Sequence, residues 1–211
     1  DADDPDSAYT HALQISASSI ATVEALAELE PRVATPTWGI WRRDLRAAYV
    51  ASVKPQPTPG LVQLEDVIAT LSARLPETAI IANGAGNYAA FLHRYFFYKS
   101  YPSQLAPISG SMGYGLPAAI AAKLAYPDQC VVALAGDGCF QMTGQELATA
   151  VQYALPIVLI IANNGSLGTI RMHQERQFPG RVSATSLINP DFVALAKSYG
   201  AAAKRITETA Q

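Results

Sequence analysis

Two runs constrain this chain more than any others: CVVALA at 130–135 and PIVLIIA at 156–162. Both are wholly apolar, and each is followed at once by an acceptor-rich turn, Gly136-Asp137-Gly138 after the first and Asn163-Asn164-Gly165 after the second. A strand that is apolar at odd and even positions alike has to be covered on both faces, which calls for a parallel sheet between layers of helix. In such a sheet, ligands bind outside the carboxyl ends of the strands. If the two runs are neighbouring strands, Asp137 and Asn164 come to the same edge.

The rest of the chain from Leu61 onward repeats the same alternation. LVQLEDVIATLSARL has apolar residues at helical spacing, TAIIANG reads as a buried strand closed by a glycine turn, and GNYAAFLHRYFF returns to helix. LAPIS is a short strand candidate, GYGLPAAIAAKLAYP a helix, CVVALAG a strand, TGQELATAVQYA a helix starting near Thr143, PIVLIIANN a strand, and KRI a last short strand. The fold class that follows is α/β: a doubly wound, mostly parallel sheet with helices on both faces, joined by right-handed crossovers. Residues 1–32 are different in kind. ALQISAS alternates like a strand and IATVEALAEL reads as a helix with Ser18 or Ser19 available as N-cap, the pattern of a remnant of another domain. Residues 33–60 read as a linker carrying one helix, about Trp38 to Ser52, closed by KPQPTPG, where successive prolines remove backbone donors. The main domain is 61–211, expected to lack its closing strand.

Composition narrows the function classes. Of 211 residues, 50% are apolar and 15% charged, enough for a sizeable core, and the net charge of -2 gives no general attraction to nucleic acid or to an anionic membrane. No apolar run approaches the length of a bilayer span. FLHRYFFYKSYP is too broken by charge for a membrane anchor and lacks a basic field for base stacking; core and subunit interface suit it better. Cys130 and Cys139 lack metal-ligand spacing and make no disulfide framework, so a reducing, cytoplasmic setting is the expectation. DADDPDSAYT has neither the basic nor the apolar region of a signal peptide and reads as the start of a piece of something longer.

Asp-Gly and Asn-Gly are common turn formers, and either alone would be an ordinary turn. Together at one sheet edge they offer a carboxylate, an amide oxygen and a backbone carbonyl near Ser166, a set of hard oxygen ligands suited to magnesium. Gly136 and Gly138 let an anion approach backbone N–H groups, and a helix starting near Thr143 would turn its N-terminus toward the same place.

The two turns lie 27 positions apart with a helix and a strand between them, the spacing of a thiamine diphosphate signature, GDG followed after about two dozen residues by NN. With SGSMGYGLPAAIAAKLAYP, ALAGDGCFQMTGQELATAVQYALPIVLIIANN and NPDFVALAKSYGA, residues 61–200 resemble the diphosphate-binding domain of thiamine diphosphate enzymes of the acetolactate synthase-like group. Residues 1–30 resemble the last strand and helix of that family's central domain. The resemblance implies that Asp137, Asn164 and the Ser166 carbonyl are the Mg2+ ligands, that the backbone of Gly138 and Cys139 holds the diphosphate beside Gly136, and that Gly86, Asn87 and Tyr88 meet the same end. It implies that Met112 supports the bent cofactor conformer, with the Gly110 carbonyl, Ser111 and the Met112 amide at the aminopyrimidine, and that Leu167 and Gly168 line the site. The bent conformer holds an internal base against the reactive carbon, so that a 2-oxo acid can be attacked and decarboxylated with the ring as electron sink.

The family's partners would be a small-molecule 2-oxo acid and the pyrimidine-binding domain of a second subunit, in a homodimer or homotetramer. That domain carries the activating glutamate, so this chain by itself is expected to be inactive. The sequence departs from the family at two places: Gly86-Asn87-Tyr88 stands where many acetolactate synthases have Gly-Gln-His, and His173 stands where they usually have a tryptophan shaping the second-substrate pocket. A lone histidine is more often a surface residue than a pocket residue. Cofactor binding survives both changes, whereas the substrate is left open, as is the presence of FAD in a full-length protein. The leading reading is an enzyme that decarboxylates a 2-oxo acid such as pyruvate and transfers the two-carbon unit to an acceptor. A 2-oxo acid decarboxylase or another carboligase is the alternative within enzymes. A non-catalytic nucleotide-binding module is the alternative outside them, and it gives no reason for Met112 to accompany Asp137 and Asn164.

Overall fold

The computed structural model describes residues 15–29 and 37–210. The chain divides into two compact units, Asp1–Ala48 and Tyr49–Gln211. The first contains α1 (Ser19–Ala27), where Ser18 is the N-cap and its hydroxyl accepts the Ala21 N–H at 3.2 Å. Residues 15–18 of the expected strand ALQISAS have no regular structure, and 12–14 lie outside the described residues, as does DADDPD. Helix α2 covers Gly39–Ser52, close to the expected helix.

In the second unit the elements run α3 (Leu64–Arg74), β1 (Ile80–Asn83), α4 (Asn87–Tyr95), β2 (Gln104–Leu105), α5 (Gly115–Ala125), β3 (Val131–Gly136), α6 (Asp137–Gln141), a 3-10 turn at Gly144–Glu146, α7 (Leu147–Gln152), β4 (Val158–Ala162), α8 (Gly168–Gln177) and α9 (Phe192–Ser198). The four strands make one sheet in the order β2-β1-β3-β4, every pair parallel. The chain steps from β1 to β2 on one side and then returns past β1 to β3 on the other. The strand order therefore reverses between β1 and β3, where such sheets open a crevice at their carboxyl ends.

The period-2 alternation of the strands explains the two helix layers. Ile80, Ala82, Val131, Ala133 and Ala135 point to one face and pack with Ala119 and Ile120 of α5, Leu147 and Ala150 of α7 and, through Phe140, with Phe192 of α9. Ile81, Val132 and Leu134 point to the other and pack with Ile68 of α3 and Leu92 and Tyr95 of α4. Strand β3 is buried at all six positions, as a run apolar on both faces requires. Strand β4 is only half-buried, and Val158 is 51% exposed, because β4 has a paired neighbour on one side alone among the described residues.

Several elements differ from the sequence expectation. Strand β2 covers Gln104–Leu105 instead of LAPIS, since Pro107 has no donor for a ladder and the Pro107 carbonyl instead closes a turn with Gly110 N at 3.2 Å. The helix after β3 begins at Asp137 itself, not near Thr143, and a 3-10 turn separates α6 from α7. Residues 201–207, with KRI, form no strand: the chain leaves α9 and runs to Thr209, whose hydroxyl accepts Gln63 N at 2.8 Å and whose N–H donates to the Leu61 carbonyl. The proline-rich segment before α3 is tied down at Thr58, whose N–H and hydroxyl both go to the carboxylate of Glu65, a residue 1% exposed.

Candidate cofactor site at the carboxyl edge of the sheet

Because all four strands are parallel, their exits share one edge, and the residues singled out from sequence fall on the loops that leave it. Asp137 follows β3 directly and is 3% exposed. Its Oδ1 accepts Gly138 N at 2.8 Å; its Oδ2 accepts Gly165 N and Asn189 Nδ2, both at 2.7 Å. The turn after β3 is thus joined to the turn after β4 by a direct hydrogen bond. Asn189 also donates from Nδ2 to Asn163 Oδ1 at 2.8 Å and accepts Gln141 Nε2 at 2.7 Å, so that α6, the β4 turn and the segment before α9 meet on one amide.

Asn164 is exposed, and its Oδ1 accepts Ser166 N at 3.0 Å, an Asx turn that fixes the direction of the amide. Gly165, at φ +64°, has the left-handed backbone that lets the chain fold back there. Ser166 lies opposite Ser186 in an isolated antiparallel bridge, with Leu167 N on the Thr185 carbonyl and Leu187 N on the Gly165 carbonyl, both at 2.8 Å. These contacts hold the turn after β4 against a loop in which the sequence carries no motif.

The donor set suits a hard divalent cation. A carboxylate has about four acceptor positions, and three of them are taken by these N–H groups. Among the described residues the ion pair is that of Arg205 with Asp191, at 3.1 Å, which leaves the buried charge of Asp137 with dipoles and no cationic side chain. A buried anion in that situation favours a cation beside it. No group of three His, Cys, Asp or Glu side chains suited to a metal occurs among the described residues, so the set rests on Asp137 with amide and backbone oxygens.

Around this centre the space is defined by absent side chains. A Cβ on Gly138 would stand 2.7 Å from Leu167 Cδ2 and 3.7 Å from Met112 Cε, which places Leu167 and Met112 both beside Gly138. A Cβ on Gly136 would lie 2.9 Å from the Tyr88 ring, and one on Gly86 2.8 Å from it. Tyr88 therefore packs against Gly86 and Gly136, between the ends of β1 and β3. Its phenol is pushed up from its ordinary pKa, mainly by burial and then by its bond to Cys139, so it stays a donor.

Asn87 meets α8: its N–H goes to Thr169 Oγ1 at 3.0 Å, Thr169 Oγ1 returns a bond to Asn87 Oδ1 at 3.0 Å, and Asn87 Nδ2 reaches Met172 Sδ at 3.6 Å. His173 is exposed and one turn beyond Thr169, on the side of α8 that carries Thr169 and Met172 toward α4. Gly168 at the start of α8 packs close to the Asn164 amide.

Not everything converges. Gly110 has nothing within 4 Å of the place a Cβ would take, and Ser111 Oγ bonds to Ser109 Oγ, at 2.7 Å, on an exposed loop. The Gly138 N–H donates to Asp137 Oδ1. Asn189, Thr169, Gln141 and Thr185 join the site without having been expected from the sequence. The only signal for Asn189 is its place before Pro190, which reads as turn chemistry. A separate small hollow lies at the opposite edge of the sheet, beside Ser72, Phe96, Tyr98 and Ser103, away from all of these residues.

Residues 84–211 match the family described as thiamine pyrophosphate enzyme, C-terminal TPP binding domain. The chain belongs to the thiamine pyrophosphate enzyme family. It is similar to the acetolactate synthase large subunit of Corynebacterium glutamicum, 37% identical over 177 residues that make up 81% of this chain and 28% of that one. Acetolactate synthase of Mycobacterium bovis is 36% identical over 169 residues, 77% of this chain and 27% of the relative. Among solved structures, the thiamine diphosphate-dependent 4-hydroxybenzoylformate decarboxylase of Rhodococcus jostii RHA1 superposes with a TM-score of 0.69 at 30% identity, covering 74% of this chain and 30% of that one. This thiamine pyrophosphate enzyme chain thus spans under a third of the length of the relatives it matches. No helix among its described residues is long and apolar enough to cross a membrane.

Proposed function

We propose that the chain is the diphosphate-binding part of an acetolactate synthase-like enzyme that decarboxylates a 2-oxo acid such as pyruvate and transfers the two-carbon unit to an acceptor. The observation that carries the reading is the bond from Gly165 N to the buried Asp137 carboxylate, which brings the GDG and NN turns to one place. In this reading Asp137, Asn164 Oδ1 and the Ser166 carbonyl hold Mg2+, and the ion offsets the charge of Asp137 as well as that of a diphosphate. The backbone of Gly136, Gly138 and Cys139, with Gly86, Asn87 and Tyr88 across the crevice, receives the diphosphate end. Met112 forms the shelf, Gly110 and Ser111 flank the aminopyrimidine, and Leu167 and Gly168 close the side toward α8. Thiamine diphosphate, when bound, supplies the electron sink for loss of carbon dioxide from a 2-oxo acid. The protein's share is to bind it, fix its conformation and keep water out.

The acceptor pocket is assigned to His173, at the end of the site nearest α4 and α8. The remaining wall would come from the pyrimidine-binding domain of a second subunit, in a homodimer or homotetramer, with residues 1–32 as the end of a central domain and 33–60 as a linker. A cytoplasmic enzyme fits this reading. A second reading, a 2-oxo acid decarboxylase without group transfer, is favoured by the likeness to the Rhodococcus jostii enzyme. Product analysis of the full-length enzyme with pyruvate separates them: acetolactate supports the first reading, release of acetaldehyde alone supports the second, and no consumption of any 2-oxo acid contradicts both.

A further inference from the structure

Beside the oxygen ligands, the most constrained group at the carboxyl edge is the thiol of Cys139. Cys139 is 2% exposed and lies in the first turn of α6, two residues beyond Asp137. Its Sγ accepts Gly113 N at 3.0 Å and the Tyr88 hydroxyl at 3.3 Å. The same sulfur takes the volume that a side chain on Gly84 would need, since a Cβ there would stand 2.2 Å from Sγ and 2.8 Å from the Tyr88 hydroxyl. One atom therefore touches the turn after β1, the first turn of α4 and the loop that leads into α5. The Gly113 peptide is held at its other end as well, its carbonyl accepting Thr143 Oγ1 at 2.7 Å, and its φ of +83° is one that a residue with a side chain rarely adopts. Gly113 directly follows Met112, and Met112 Cε is 3.7 Å from the position of a Cβ on Gly138.

We propose that Cys139 is a positioning residue: its sulfur pins the Gly113 peptide, and through it Met112, at a fixed distance from the Asp137-Gly138 turn, so that the loops receiving the two ends of the cofactor are held in register. The proposal rests on the thiamine diphosphate site put forward above. In that reading the backbone N–H of Cys139 belongs to the diphosphate end, as does Tyr88, while Sγ also holds Gly113 on the Met112 side. Truncating the side chain removes the sulfur but neither the backbone N–H groups nor the Asp137 turn, so it should loosen the Met112 side and leave a diphosphate held by the backbone.

The test compares two ligands on the full chain by calorimetry with magnesium, thiamine diphosphate and inorganic diphosphate, in the wild type, Cys139→Ala and Cys139→Ser. Loss of one buried hydrogen-bonding centre should weaken thiamine diphosphate about three- to tenfold in Cys139→Ala, while inorganic diphosphate is held as before, and Cys139→Ser should recover most of the loss. Equal losses for both ligands, or none for either, overturn the proposal. Amide hydrogen exchange at Gly113 in the ligand-free chain separates this from failure of the site reading. Faster exchange in Cys139→Ala than in the wild type upholds the pin even if the wild type binds no thiamine diphosphate, and equal rates overturn it.

Discussion

Replacing Asp137 with alanine strips the partner from Gly165 N and Asn189 Nδ2 at once, and neither has another buried acceptor as good as a carboxylate. The variant should unfold at lower denaturant, by about 1–3 kcal/mol for the donors left unpaired, and should bind thiamine diphosphate no better with magnesium than without it. Equilibrium unfolding and calorimetry read the two effects separately, and a variant with full magnesium dependence would remove Asp137 from the metal site. Gly84→Ala is a packing test of the same corner. The new methyl would stand 2.2 Å from a sulfur that is itself buried and bonded, so overpacking should cost about 1–3 kcal/mol in a denaturation midpoint. At Gly180 and Gly110, where a Cβ meets nothing within 4 Å, only the left-handed backbone resists the change. His173→Trp should alter which of pyruvate and 2-oxobutyrate the full-length enzyme prefers as acceptor while leaving cofactor affinity in place. An unchanged product ratio in competition would mean that His173 does not face the acceptor.

At the scale of elements, α9 gives a prediction with a sign. Asp191 is its N-cap and accepts Val193 N and Ala194 N. The bond from Ala194 N is the main cause that lowers its pKa below the ordinary 3.8, with the Val193 bond and Arg205 adding to it. A carboxylate whose folded pKa is depressed stabilises the fold above its unfolded pKa, and that stability is lost as pH falls through the folded value. The contribution should therefore be complete at neutral pH and fade only below about pH 4. Asp191→Asn should flatten the acid limb of the stability profile in that range; an acid limb of unchanged slope would refute the assignment. The same scale shows what was legible in the sequence. The β3 run VVALAG could be read because six apolar residues in a row have no other soluble use than a doubly covered strand. Helix α6 could not, since Asp137-Gly138 scores as a turn and a five-residue helix is too short for a periodic pattern. KRI reads as a short strand in the sequence, but strands exist only by pairing, and pairing is non-local. Asn189 and Thr169 were hidden for the same reason: each is an ordinary polar residue until the fold sets it beside Asp137 or Asn87.

For the whole molecule, the site has one built wall. Exposed Ile108, Met142 and Ile188 belong to the loops and short helices around the carboxyl edge, and among the described residues no acidic side chain besides Asp137 is buried there. Glu146 lies in the 3-10 turn, bonded to Thr149, and Glu175 is exposed at the far end of α8. In the proposed division of labour the activating glutamate comes from a pyrimidine-binding domain, so this chain alone should not accelerate hydrogen–deuterium exchange at C2 of thiamine diphosphate, and addition of that domain should. NMR of the cofactor measures both rates, and fast exchange with the chain alone would place a base within these residues. The central claim, that the edge formed by Asp137, Asn164 and Met112 is a magnesium-dependent thiamine diphosphate site, is tested most directly by one calorimetric titration of the chain with thiamine diphosphate, run with magnesium and with chelator, and with ATP as the control ligand. Saturable binding of thiamine diphosphate that needs magnesium and is not matched by ATP is the predicted result; binding that is indifferent to magnesium, or shared equally with ATP, would contradict it.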